Sequence, residues 1–183
     1  MKKILLILLT ATTIFASQCH YDFKSLQVNW KAYKTPLKIG VGGTFNNVSI
    51  NAIDKSSTKN FLTSSTVVIN TATINSKNVA RDKKLVHYFF NIQGVKKINI
   101  KVLSVNKEKI YLDITMNGVT RTVPMRLDLK DDEAKADGYI DLADFHMLPS
   151  LAAITKACYK LHQGKTWQDV KIDFTLKTQK NCH

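Results

Sequence analysis

From Val170 to Lys177 the chain alternates apolar and polar residues without a fault. Period-two alternation predicts a strand with one buried face. Ile110 to Met116 alternates in the same way, and Asn117-Gly118 follows it. That dipeptide accepts positive φ at both central positions of a tight hairpin. Beyond it Val123, Met125, Leu127 and Leu129 alternate with Thr122, Pro124, Arg126 and Asp128. Pro124 lacks an amide donor, which predicts a bulge or a locally open edge. Ile98, Ile100 and Val102 mark a further strand, Leu26, Val28 and Trp30 an early one, and Val67 and Ile69 another.

Two segments break this period. Asn78 to Phe90 carries Val79, Val86, Phe89 and Phe90 at helical spacing, with Asn78 as the capping residue. Pro149 to His162 places Leu148, Leu151, Ala152, Thr155, Cys158 and Tyr159 on one helical face. Pro149 suits the first turn and Gly164 the exit. The pattern therefore predicts an all-β chain of antiparallel strands with two helices, arranged as a sandwich or barrel.

The first residues read differently. Lys2 and Lys3 precede an apolar run from Ile4 through Phe15, and small Ala16 and Ser17 end it. A basic start, a short apolar core and a small-residue exit predict a secretory signal over 1–16, leaving one domain over 17–183. The run falls short of the about 20 residues of a membrane span. Cys19 suggests a lipoprotein signal, but Gln18 is too large for the position before a lipidated cysteine. The expected location is the bacterial periplasm or the secreted fraction, as a soluble protein.

The whole chain has 27 basic and 14 acidic residues, a net charge of +13. Removing 1–16 takes away Lys2 and Lys3 and no acid, leaving +11. The lysines stand singly or in pairs such as Lys83-Lys84 and Lys96-Lys97. Such dispersion predicts a solvated surface, with contact to an anionic membrane as the sharper alternative. No basic cluster is interleaved with aromatics, so nucleic acid is not an expected partner. Monomer and dimer both stay open.

Several segments resemble the YceI-like family. Val28-Asn29-Trp30-Lys31-Ala32, followed by Val41-Gly42-Gly43-Thr44-Phe45, is similar to its first two strands. Arg81-Asp82, Leu85 and Phe89-Phe90 resemble its RD-x-x-L-x-x-x-FF helix. Ile114 to Arg121 resembles its central hairpin, and Gly138 to Phe145 its glycine-isoleucine-aspartate strand. Lys84 stands where the family usually has histidine, and the cysteine-bearing helix through Gly164 is extra. The resemblance implies an eight-stranded antiparallel lipocalin-like barrel that binds isoprenoids or other long-chain lipids. In such a barrel the first strand pairs with the last, which would bring Cys19 and Cys182 to one rim as a disulfide. Cys158 would then be a buried free thiol beside Leu151; the rival pairing is a Cys158–Cys182 bridge with Cys19 lipidated or free.

An eight-stranded barrel is wide enough to be filled by side chains or to hold one small ligand. The candidate ligand-binding residues are Val28, Trp30, Phe45, Ile69, Phe89 and Ile100 in the first half. Ile114, Met116, Met125, Phe145, Phe174 and Leu176 complete the set. A filled core and a lipid cavity share this signature, so two readings stay open. One is binding, transport or sequestration of an isoprenoid, quinone or fatty-acid derivative. The other is a basic interaction protein with a filled core, binding anionic envelope or host surfaces. Ten buried methylenes would contribute about 8 kcal/mol before the cost of association, so no anchoring charge is needed.

No nucleophile elbow, P-loop, HExxH or paired CxxC occurs, and no enzyme activity or cofactor is expected. Gly40-Val41-Gly42-Gly43 suits a turn or bulge between strands. Asp131-Asp132-Glu133 reads as a solvated loop. Cys19-His20, Cys158 with His162, and Cys182-His183 offer soft ligands for a metal, but their spacing fits no known ligand motif; no metal site is expected.

Overall fold

The structure is a computed structural model and describes residues 21–130 and 132–178. Its order is β1 (Gln27–Lys34), β2 (Ile39–Phe45), β3 (Val48–Ala52), α1 (Thr58–Thr63), β4 (Ser65–Asn70) and β5 (Ile74–Asn75). Then come α2 (Val79–Leu85), β6 (Lys97–Asn106), β7 (Lys109–Met116), β8 (Val119–Lys130) and β9 (Glu133–Asp141). The chain ends with α3 (Leu148–Ala157), α4 (Tyr159–His162) and β10 (Asp169–Lys177).

The strands make one curled antiparallel sheet in the order β3-β4-β6-β7-β8-β9-β10-β1-β2-β5. Ten strands stand where eight were expected. The difference lies in the two-residue β5 and in the bend at Asn46 and Asn47, which divides one run into β2 and β3. β2 pairs with β1 before this bend, and β3 pairs with β4 after it. β3, at one end of the sheet, thus follows after two residues of chain from β2, next to the other end, with no ladder between them.

The strands read from alternation fall where they were predicted. Asn117 and Gly118 have φ of 52° and 73° and close the β7–β8 hairpin. The β8–β9 ladder starts at Arg126, so Pro124 has no ladder partner on that side, an open edge rather than a bulge. The bulge falls instead on β6, between Val102 and Ser104. β9 ends at Asp141, and Leu142–Phe145 forms a 3-10 turn where the family resemblance implied strand.

The glycine run lies inside β2, not between strands. A Cβ at Gly43 would collide with the Asn75 carbonyl and lie 2.8 Å from the Trp30 ring. Gly43 is therefore what lets β5 and Trp30 approach β2 together. At Gly40 a Cβ would meet only the flexible end of Lys31.

The lower half of the barrel is packed. Phe61 of α1 is fully buried and stacks on Tyr21 at 3.8 Å. Leu62, Val102, Leu112, Leu127 and Leu176 fill the space around it, leaving a small apolar void of about 60 Å³. Gly43→Ala is expected to destabilise by about 1–3 kcal/mol, because backbone and an indole must both shift. Gly40→Ala should cost clearly less, and urea unfolding of both variants checks the contrast.

Candidate ligand cavity

The upper half of the barrel is not filled. A cavity of about 450 Å³ lies between the inward faces of the strands and the helices that cross above them. This volume falls within the about 300–1,000 Å³ of ligand pockets. Val28, Trp30 and Ala32 of β1, Ile100 of β6, Ile114 and Met116 of β7, and Phe174 of β10 form its walls. These are the alternate residues that the pleat turns inward.

Trp30 is 8% exposed, and its Nε1–H donates to the Thr44 carbonyl at 3.4 Å. Nine of the twelve candidate residues line this cavity: Val28, Trp30, Phe45, Ile69, Phe89, Ile100, Ile114, Met116 and Phe174. Met125, Phe145 and Leu176 are buried elsewhere. Met125 lies on β8, which gives no residue to this cavity, and packs beside Gly138. Phe145 lies in the 3-10 turn after β9, and Leu176 lines the small lower void. Alternation places Met125 and Leu176 inside, but different parts of the inner surface face different spaces; Phe145 was expected from the family resemblance.

The roof starts with α2. Asn78 Oδ1 accepts the Arg81 N–H at 2.9 Å, which caps the helix as expected. Asp82 Oδ1 accepts from the Ser76 amide at 2.8 Å and the Ser76 hydroxyl at 2.6 Å, fixing the chain that enters α2. Val86–Phe90 then continues as a π turn. Its wider winding brings both Phe89 and Phe90 to the cavity wall, with ring centroids 5.0 Å apart. Val79, placed on the apolar face by spacing, is instead 71% exposed.

α3 is tied to this roof by Ser150, whose hydroxyl donates to Gln93 Oε1 at 2.8 Å. The buried face of α3 is Ser150, Leu151, Ile154 and Cys158, whereas Leu148, Ala152 and Tyr159 are exposed. The helix expected over 149–162 breaks at Cys158, and the chain leaves α4 through Gln163 and Gly164 at positive φ. Cys158 is a buried free thiol in the cavity wall beside Leu151. Cys19 and Cys182, the expected disulfide pair, lie outside the described residues.

Polar groups gather where the cavity meets solvent. Asn78, Ala80 and Leu161 line it and are exposed, so the mouth lies between the start of α2 and α4. Lys34, Arg81, Lys84 and His162 also line it and are half-buried. Among the described residues no aspartate or glutamate does. Lys34 reaches this position because the end of β1 pairs with Thr166. Lys84, read from sequence as part of a solvated pair, turns inward because it follows Arg81 by one helical turn.

His162 sits among these charges, with Nδ1 2.8 Å from the Thr166 hydroxyl. Burial, then the Lys34 and Lys84 charges, push its pKa below the ordinary 6.5. Lys34 was not a sequence candidate, and His162 was weighed only as a metal ligand beside Cys158. An alternating pattern marks apolar faces and gives no signal for the charged residue that ends an inward row.

Residues 20–178 match the sequence model of the YceI-like domain. No curated protein matches the chain. Solved structures share its fold at low identity. A polyisoprenoid binding domain from Saccharophagus degradans, implicated in plant cell wall breakdown, has 13% identity and a TM-score of 0.62 over 87% of this chain and 97% of that one. BcnA from Burkholderia cenocepacia has 14% identity and a TM-score of 0.58 over 86% and 99%. A mutant CJ YCEI protein has 18% identity and a TM-score of 0.55 over 77% and 86%.

The His162 environment sets a pH dependence. Its folded pKa lies below that of the unfolded chain, so the unfolded state binds more protons between the two values. The contribution is fully present above the ordinary 6.5 and is lost as pH falls through 6.5 toward the folded pKa. Urea midpoints taken between about pH 7.5 and about pH 5 should therefore fall, and His162→Gln should make that fall shallower.

Proposed function

The chain belongs to the YceI-like family, and from that premise we propose that its upper cavity holds one long-chain apolar ligand and does no chemistry on it. The observation that carries this reading is the 450 Å³ cavity with apolar walls and with cationic groups confined to its mouth. The nine candidate residues in the wall would contact the chain of the ligand. Lys34, Arg81 and Lys84 would stand beside a polar end left at the mouth. The similar fold of a polyisoprenoid binding domain supports an isoprenoid; a quinone or fatty-acid derivative fits the same walls. A filled-core interaction protein is the weaker reading, because such a core leaves no cavity of this size.

The same proposal extends to the chain ends. Residues 1–16 are removed on export to the periplasm or beyond, and Cys19 pairs with Cys182. The register of the described strands supports the pairing, since Gln27 of β1 lies opposite Thr175 of β10. Just outside this ladder the Lys177 amide donates to the Ser25 hydroxyl at 2.9 Å, so Ser25 and Lys177 lie side by side. Cys158 is in the wall of the upper cavity, whereas β10 runs on to Leu176 in the wall of the lower void.

Native mass spectrometry of the protein purified after export should show an apolar molecule that organic extraction releases. Ala32→Phe fills the cavity near its mouth and should lower prenyl- or acyl-probe affinity at least about tenfold, since a few lost methylene contacts suffice. Repeated recovery of empty protein that also binds no probe would end the carrier reading. Non-reducing peptide mapping should give a Cys19–Cys182 cross-link; a Cys158–Cys182 peptide would overturn that pairing.

A further inference from the structure

The rim of the cavity mouth has a composition of its own. Leu37 is 83% exposed, Val79 71%, Tyr159 65% and Leu161 61%. These side chains come from the β1–β2 turn, the start of α2, and α4. The segments converge on one opening. The Thr35 amide donates to the Lys165 carbonyl, and the Trp167 amide to the Tyr33 carbonyl, which fastens the turn to the chain after α4. Thr166 and Trp167 line the cavity, as do Asn78 and Ala80 on either side of Val79. Scattered exposed apolar residues are ordinary on a protein surface, but a group of them around one opening marks an interaction site.

The charge at this rim has one sign. Lys34, Arg81 and Lys84 line the mouth, and exposed Lys160 and Lys165 flank Leu161 and Thr166. The carboxylates nearby are engaged. Asp169 pairs with Lys38 at 2.8 Å. Asp82 accepts from Ser76, and Asp141 accepts from the Ala143 amide and Gln168. Exposed apolar side chains set among cations suit an interface that is apolar beneath an anionic layer.

We propose that this rim docks the protein on a bilayer surface bearing anionic lipid headgroups, with the cavity mouth facing the membrane. Charge complementarity favours the bilayer over a second copy of this chain. Two copies meeting rim to rim would oppose like charges on exported chains of net charge +11, that is +13 less Lys2 and Lys3. A mouth held at the bilayer would let an apolar chain pass between membrane and cavity without crossing water. The docking itself stands on the rim residues, whatever fills the cavity.

The test is vesicle co-sedimentation of the protein purified after export. Vesicles of phosphatidylcholine with about a third phosphatidylglycerol should bind at least about tenfold more tightly than phosphatidylcholine alone, and added salt should weaken the binding. Leu37→Ser with Tyr159→Ser, and separately Lys160→Glu with Lys165→Glu, should each weaken it at least about fivefold. Ile53 is 87% exposed beside α1, at the closed end of the barrel, so Ile53→Ser should leave binding unchanged. Circular dichroism and extraction of bound ligand on the same samples separate docking from folding and from cavity occupancy. Vesicle binding by protein that is recovered empty and binds no prenyl or acyl probe would leave docking standing while the carrier reading fails. Equal binding to neutral vesicles, equal loss in Ile53→Ser, or rim-dependent self-association without vesicle binding would overturn the proposal.

Discussion

The ladder between β1 and β10 joins segments at opposite ends of the described chain. Within it Asn29 Nδ2 donates to Asp173 Oδ2 at 2.8 Å across 144 residues of sequence. This pairing turns a meander of hairpins into a curled sheet with an inside. It also sets the register of the upper end. Once Trp30 lies opposite Ile172, the chain before β10 must pass the end of β1, and Thr166 meets Lys34 there. The position of His162 follows, because four residues separate it from Thr166. Loop closure on this scale is entropically costly, so the contacts that reward it must be many. The apolar rows of β1, β6, β7 and β10 supply them.

A single inner surface then meets two different ends. Below, α1 inserts Phe61, and large side chains close the space to a small void. Above, α2, the π turn and α3 span the opening as a roof. They contribute Leu85, Phe89, Phe90 and Ile154 to the boundary without filling the volume beneath. Packed interiors have few voids larger than a water molecule. A cavity of about 450 Å³ in the same barrel is therefore space kept open by the roof. The Ser150–Gln93 contact holds two parts of that roof together at a site where the serine is fully buried.

The mouth concentrates charge that the sequence disperses. Lys34, Arg81, Lys84 and His162 come from three segments and share one opening. The depressed pKa of His162 follows first from its burial, and then from the Lys34 and Lys84 charges that oppose a third positive group beside them. Lys84, where the resemblance leads one to expect histidine, adds a lysine to the groups lining this mouth.

Alternation along β1, β7, β8 and β10 determined strand positions, the Asn117-Gly118 hairpin and an all-β class, because the pleat writes a period of two directly into the sequence. Asn78 and the aromatic pair at 89 and 90 likewise marked the helix that roofs the cavity. Nine of twelve candidate residues lie in the cavity wall for the same reason: inward residues are apolar wherever they sit. Tertiary structure decided the rest. Burial alone does not distinguish Ile114, which faces open space, from Met125 and Leu176, which face packed neighbours; that depends on which end of the barrel each row has reached. Leu148 and Tyr159 were assigned to the wrong side of their helix, whose inward face runs through Ser150, Leu151, Ile154 and Cys158. β2 showed no alternation to read, since Gly43 is shaped by the Trp30 ring and the Asn75 backbone, whereas β3 alternates over Val48, Ile50 and Ala52 but was not read as a strand. Lys34 became part of the mouth only when β1 met the chain before β10, a contact between residues with no local relation to one another.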